Sequence, residues 1–383
     1  MLPSPEPLLT RTGVALLRAF VPGEPSADPS AREFRSVLVV RQHNQLGDML
    51  CVVPLLRALR RSHPGARIAL LASPVNAGVM QGNSCLDEVI LYDKREYLGR
   101  AGMRPGAAIG FLRRLRERKF DLVLTPSTVS MSATSDMLAM ATGAGIRIGP
   151  GSLDGRPNPS RGAYTHPVNL DWRHSPHRHQ TLRNLDVATA LGLPEVPLHS
   201  EITLTEDEVA GAKSFLLKVS LPPASFVVYH PGAGKPPNRW PAGRFAELAN
   251  AIAGETGMGT VVTSGSFDRV PVGEMTAALR VRYSVLENRP IREVAAVLRQ
   301  ARLVVSNDTG IMHVAGAVGT PVLSLFGPTD PHQWAPLNRG SRDIGEGGSA
   351  IDRIETREVL EAARSMLLEP YPADPLAGNE FGG

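Results

Sequence analysis

Short apolar runs alternate with amphipathic stretches along most of this chain. In the first half Val37–Arg41, Arg67–Ala72, Glu88–Tyr92, Asp121–Thr125 and Ile146–Ile148 read as strands, with helices predicted over 107–119 and 131–142. Strands without polar alternation, separated by helices, belong to βαβ units whose parallel sheet is covered on both faces. The second half repeats the arrangement. Strands are expected at Phe226–Tyr229, Thr260–Thr263, Tyr283–Leu286, Leu303–Ser306 and Val322–Phe326, and helices over 243–253 and 292–300. The first of these helices puts Phe245, Leu248, Ala249 and Ile252 on one face.

Other segments break the rhythm. Residues 1–35 carry Pro3, Pro5, Pro7, Pro22, Pro25 and Pro29, which predicts a flexible leader with room for one short amphipathic helix at Leu8–Val21. Residues 150–180, rich in Gly, Pro, Arg and His, read as an excursion loop; a helix over 181–191 follows and Gly192-Leu-Pro194 stops it. A linker at 201–222, containing a helix over 205–219, joins halves spanning 36–200 and 223–348. Beyond them Ile354, Val359, Ala362 and Met366–Leu368 mark a terminal helix within 349–370, and 371–383 predicts disorder. The expected fold class is α/β: two Rossmann-like, doubly wound domains facing a central cleft, with ligands at the strand C-termini.

Composition narrows the class. At 383 residues the chain exceeds one typical core. With 42% hydrophobic and 20% charged residues it reads as soluble and globular. No apolar run approaches the roughly 18–20 residues that span a bilayer, and the opening residues lack the pattern of a signal peptide. Two cysteines, Cys51 and Cys85, make no disulfide framework and suit a reducing cytoplasm. The net charge of +4, mostly arginine in origin, suits phosphorylated substrates or an anionic membrane face. No basic stretch carries interleaved aromatics, which argues against nucleic acid.

Three strand-to-helix turns carry candidate chemistry. In Arg41-Gln-His-Asn-Gln45-Leu-Gly47-Asp48, Gly47 permits close backbone approach and Asp48 stands at a helix start. A carboxylate there can take the proton of an attacking hydroxyl or simply cap the helix. Pro54 makes the helix start late or kink. In His230-Pro-Gly232-Ala233-Gly234-Lys235-Pro-Pro-Asn238-Arg239-Trp240 the glycines allow approach to a pyrophosphate, and Lys235 or Arg239 could neutralise it. The spacing is not that of a P-loop, and Trp240 reads as a packing residue. In Asn307-Asp308-Thr309-Gly310, the unpaired N–H groups of a helix start favour phosphate, Asp308 suits a sugar hydroxyl, and His313 lies one turn further on. A fourth group, His174, His177 and His179 with His166 nearby, reads as a basic loop for anionic acceptor groups; no cysteine and only Asp171 nearby argue against a metal.

Taken together, these residues resemble glycosyltransferase family 9, the bacterial heptosyltransferase family. The resemblance runs from about Val37 to Leu368. It is carried by Gln45-Leu-Gly-Asp-Met-Leu with Pro54, by His230-Pro-Gly-Ala-Gly, and by Ser306-Asn-Asp-Thr-Gly-Ile-Met-His through Phe326-Gly-Pro-Thr-Asp330. It implies a GT-B fold whose C-terminal domain binds the nucleotide sugar and whose N-terminal domain binds the acceptor, with the terminal helix crossing back to the N-terminal domain. The implied chemistry is inversion without metal or other cofactor, with ADP-heptose as the best-known donor and a cell-envelope glycan or glycolipid as acceptor, as in lipopolysaccharide biosynthesis. By motif position Asp48 matches the catalytic base, Asp308 the ribose-contacting carboxylate, and Thr309 and Gly310 the phosphate-binding turn. His179-Gln-Thr-Leu-Arg183 resembles a family segment near the domain junction, so His179 and Arg183 join Gln45 and Gly47 as acceptor-side candidates. One departure stands out. The family usually places Lys two residues before the Trp of the second motif, and Asn238 holds that position here. Lys235 or Arg239 would then supply the charge, in different geometries.

The expected function is an inverting glycosyltransferase working in the cytoplasm, with peripheral contact at the inner membrane face a further expectation. A GT-B-type sugar-nucleotide epimerase or hydrolase is the alternative within the fold, and a catalytically silent nucleotide-sugar-binding protein is the alternative outside enzymes. A dehydrogenase fits least, since no Gly-x-Gly-x-x-Gly opens either half.

Overall fold

A computed structural model describes residues 28–99, 102–103 and 105–371. The predicted leader helix at Leu8–Val21 and the tail after Tyr371 lie outside them. The chain divides into two compact units. Among the described residues the first comprises 28–44, 51–77 and 84–196; the second comprises 45–50, 78–83 and 197–371.

The first unit is built on β1 (Ser36–Arg41), β2 (Arg67–Ala72), β3 (Glu88–Leu91), β6 (Leu122–Leu124), β7 (Ile146–Leu153), β8 (Arg156–Pro157) and β9 (His166–Leu170); β4 (Leu98–Gly99) and β5 (Gly102–Met103) form a separate small hairpin. The order β3-β2-β1-β6-β7 is parallel throughout, and β7 is flanked by antiparallel β8 and parallel β9. Leu38, Val40, Leu71, Phe111, Leu115 and Leu138 pack the core on one face of this sheet.

The expectation of an excursion loop over 150–180 is therefore corrected. Its first part is sheet: β7 runs on to Leu153, and His166–Leu170 returns as a neighbouring strand. Pro167 masked the strand, since proline is tolerated only at such an edge or irregularity, and the register of this pair shifts between Pro150 and Ser152. Tyr164 fixes the return by lying where a Cβ on Gly149 would fall, 2.3 Å away, and its hydroxyl donates to buried Asp136.

The second unit is built on β10 (Phe226–His230), β11 (Gly259–Ser264), β12 (Tyr283–Glu287), β13 (Leu303–Asn307), β14 (Val322–Leu325) and β15 (Arg342–Ile344). All pairs are parallel, in the order β12-β11-β10-β13-β14-β15. Numbered within the unit this is 3-2-1-4-5-6, the doubly wound order, whose direction reverses between β10 and β13. The crevice beyond that reversal is where such sheets bind ligands. β15, with two exposed residues of three, carried no apolar signal in the sequence.

The helix Thr356–Leu368 corrects a second expectation. Its buried Val359, Ala363 and Met366 join Phe245, Leu248 and Leu303 in the second unit's own core, rather than serving the first half. Arg302 holds its end by donating to the carbonyls of Met366 and Leu367 (3.3 and 2.7 Å). Arg292 explains why residues 78–83 belong here: it donates to the carbonyls of Gly78, Gln81 and Thr203 at 2.9, 3.1 and 2.8 Å, and to the Glu208 carboxylate.

Candidate functional site

The helix expected after Arg41 is broken in two. Leu46–Leu50 is a short helix, and Val53–Ser62 begins anew with Pro54 in its first turn, where a missing N–H costs nothing. The break at Cys51 is also where the chain returns to the first unit. Gln45, Gly47 and Asp48 therefore lie in the second unit, not in the N-terminal half.

The short helix packs on the helix Gly310–Ala317, and a glycine on each side makes the approach possible. A Cβ on Gly47 would lie 2.5 Å from Cδ2 of His313, and one on Gly310 would lie 3.0 Å from Cβ of Leu46. His313 is buried, with its ring edge-on to Trp334 at 6.2 Å between centroids. It lies beside both Gly47 and Trp334. Asp48 stands half-buried on the short helix. The hydroxyl of Ser200 donates to the Leu50 carbonyl at 2.7 Å and closes the segment's end.

Beyond the strand reversal, β10 runs into the Pro231–Asn238 loop and β13 into the Asp308–Gly310 turn. Asn307, fully buried, joins the two. Its Nδ2 donates to the carbonyls of Pro231 and Gly232 at 3.0 and 3.2 Å, and its Oδ1 accepts the Trp240 N–H at 3.0 Å. Trp240 is a packing residue, as its sequence context suggests: it is 1% exposed, stacks edge-on with Phe245, and donates Nε1–H to the Ile354 carbonyl. The Thr309 hydroxyl caps the helix by accepting from the Ile311 N–H at 3.2 Å.

Asn238 is not a bystander at the position where a lysine was expected. Its Nδ2 donates to Oδ2 of Asp308 at 2.9 Å and to the Thr329 hydroxyl at 3.2 Å. Burial pushes the Asp308 carboxyl above its ordinary range, against the Thr329 hydroxyl, the Lys235 charge and the Asn238 amide, which favour its ionised form. Lys235 is exposed, and Arg239 spends its Nε–H on the Ala233 carbonyl at 2.9 Å. Gly234 has open space around it, whereas a Cβ on Gly232 would fall 2.1 Å from Oδ1 of Asp268. That carboxylate accepts the Gly265 N–H at 2.9 Å and lies 4.0 Å from Nε2 of His230, whose Nδ1 meets the Thr263 hydroxyl. Burial holds the His230 imidazole below its ordinary pKa, Asp268 opposing.

The remaining candidates lie in the first unit. His179 caps the helix Gln180–Asp186, its Nδ1 accepting the Thr181 N–H at 3.1 Å. Arg183 donates to the carbonyls of Arg178 and Pro176 and sits 4.7 Å over the Trp172 ring, so it supports the 172–178 loop. His174 and His177 are exposed on that loop, while His166 meets the Thr165 hydroxyl.

Asn307, Thr329 and Asp268 were assigned no role by sequence. An amide ending an apolar strand at the point where strand order reverses is a signal for Asn307. Thr329 lies inside the Gly327-Pro-Thr-Asp330 stretch, and Asp268 follows Gly265 at the spacing of a capped turn.

Two Rossmann-like units, the second with a strand reversal bordered by a helix start and a glycine loop, define the GT-B class of glycosyltransferase folds. Solved Escherichia coli ADP-heptose lipopolysaccharide heptosyltransferase II superposes with a TM-score of 0.70 at 24% identity, covering 87% of this chain and 98% of that one. The sequence model of glycosyltransferase family 9 (heptosyltransferase) matches residues 109–359, and the chain belongs to this family. Lipopolysaccharide heptosyltransferase 2 of Escherichia coli K12 is 29% identical over 204 residues, 47% of this chain and 57% of that protein. The chain thus spans little more than half the length of that relative. Lipopolysaccharide heptosyltransferase 1 of Pseudomonas aeruginosa is 27% identical over 312 residues, 81% of this chain and 83% of that protein. Among the described residues no helix is long and apolar enough to cross a membrane.

Proposed function

We propose that the protein transfers a sugar, heptose being the first candidate, from a nucleoside diphosphate donor to a lipopolysaccharide-type acceptor glycan, with inversion and without a metal or other cofactor. The observation that carries this reading is the Asp308–Gly310 turn at the strand reversal, packed through Gly310 and His313 against the helix bearing Asp48. The ribose hydroxyls donate to Asp308, which Asn238 and Thr329 hold in place. The diphosphate takes the N–H groups of the Gly310 helix start, with the charges of Lys235 and Arg239 beside it. The acceptor hydroxyl oxygen attacks the anomeric carbon as its bond to the β-phosphate oxygen breaks. Asp48 receives the hydroxyl proton, and the bonding pair leaves with the diphosphate.

Asn238 sets the charge balance of this reading. A neutral amide orients Asp308 without cancelling its charge, so phosphate neutralisation falls to Lys235, Arg239 and the helix dipole. The work is placed in the cytoplasm, at the inner membrane face where the acceptor's lipid resides. Product analysis with ADP-heptose tests the proposal: the transferred sugar should appear only when acceptor glycan is added, and chelator should leave the rate unchanged. Free sugar or an epimerised donor formed without acceptor would replace transfer by hydrolysis or epimerisation, and nucleotide binding without any product would make the protein a silent binder.

A further inference from the structure

Phe267 is a large apolar side chain that is 87% exposed, as is Leu368. It does not sit on a slack loop. The turn after β11 is pinned by the Asp268 N–H donating to the Gly265 carbonyl at 3.1 Å and by the Gly265 N–H donating to the Asp268 carboxylate at 2.9 Å. Asp268, directly after Phe267, is wedged against Gly232, where a Cβ would fall 2.1 Å from its Oδ1. The turn carrying Phe267 is therefore seated against the glycine loop.

The sheet sets its distance from the phosphate end. β11, β10 and β13 are consecutive parallel strands, so the Gly265–Asp268 turn, the Pro231–Asn238 loop and the Asp308–Gly310 turn follow one another along one edge. Two strand spacings, ~10 Å, separate the first from the last. With the β-phosphate at the Gly310 helix start, a diphosphate and ribose extended along this edge carry the base toward the β11 turn. An aromatic ring 87% exposed on that turn has the chemistry that stacks on a nucleobase.

We propose that Phe267 is the stacking platform for the nucleobase of the donor, a specificity element beyond the phosphate and ribose contacts; this rests on the donor-site reading above. Stacking tolerates any base, so this residue supplies affinity for a nucleoside over bare pyrophosphate more than a choice between bases.

Calorimetric titration of ADP and of inorganic pyrophosphate into the wild-type chain, Phe267→Ala and Phe267→Trp tests it. ADP affinity should fall roughly 10-fold or more in Phe267→Ala, recover in Phe267→Trp, and leave pyrophosphate affinity unchanged throughout. Unchanged ADP binding in Phe267→Ala would overturn the platform while leaving the donor site standing. Equal losses for ADP and pyrophosphate would also overturn it, since the residue would then act through the loop. A wild-type chain that binds no ADP would remove the platform and the donor-site reading together.

Discussion

Gly47→Ala is a sensitive probe of how the Asp48 helix is held, because two effects of opposite sign meet at one position. Gly47 lies inside the helix Leu46–Leu50 and has no left-handed backbone angle that only glycine could adopt. On helix propensity alone, alanine would stabilise by about 0.5–1 kcal/mol. The new Cβ, however, would stand 2.5 Å from Cδ2 and 2.7 Å from Nε2 of His313. Ordinary carbon contacts lie near ~3.5–4.0 Å, so the ring or the helix must move by about 1 Å. His313 is 7% exposed and backed by Trp334, so the ring has little room to swing. Overpacking of this kind costs about 1–3 kcal/mol. The net expectation is destabilisation of about 1–2 kcal/mol, read by denaturant unfolding, with a loss of turnover as Asp48 is displaced. His313→Ala in the same chain should recover most of the Gly47→Ala penalty, a coupling of about 1 kcal/mol or more in a double-mutant cycle. A Gly47→Ala variant more stable than wild type and fully active would refute the packing argument, as would strict additivity in the cycle.

Other expectations follow from the same geometry. Asn307→Ala strips three hydrogen bonds from a fully buried junction and should cost about 2–4 kcal/mol in unfolding experiments, with weaker ADP binding because the glycine loop loses its tie to β13; an unchanged midpoint and affinity would contradict this. Asp308 should make ADP affinity pH-dependent. Its folded pKa is raised by burial, so the ionised form that accepts ribose hydroxyls is full only above that raised value, and affinity falls with pH before the ordinary carboxylate range near 3.9 is reached. The comparison with Asp308→Asn, which should lack this limb, isolates the residue. Glu208 behaves oppositely: the Arg292 hydrogen bond holds its pKa down to about 2, so its stabilisation is present above the ordinary value and fades only as pH falls from there toward 2. The Arg292–Glu208 contribution to stability should therefore persist in a descending pH series after ADP affinity has begun to fall.

Much of the second unit was legible because its strands are apolar on both faces and its turns carry glycine. Phe226–Tyr229, Leu303–Ser306 and Val322–Phe326 fell within a residue of the strands that form. What the linear pattern could not carry was partnership at a distance. Asn238 reads as a missing lysine until Asp308, seventy positions away, is seen accepting from it. The placement of Gln45–Leu50 with the second unit depends on Gly47 and Gly310 facing side chains from each other's helices, which no local spacing reveals. The strand His166–Leu170 was hidden because Pro167 and half-exposed neighbours imitate a loop. The partner of the terminal helix was not legible, because Val359, Ala363 and Met366 form a stripe that any nearby apolar face could take.

In the proposed mechanism the carboxylate of Asp48 removes the acceptor's proton while Asp308 and the Gly310 turn hold the donor. Asp48→Asn keeps the side chain's shape and removes its basicity. Steady-state transfer beside ADP titration should show turnover reduced by about 100-fold or more, with ADP affinity within about two-fold of wild type, well under the ~1.4 kcal/mol of a ten-fold change. Turnover at the wild-type rate would contradict the assignment of the base.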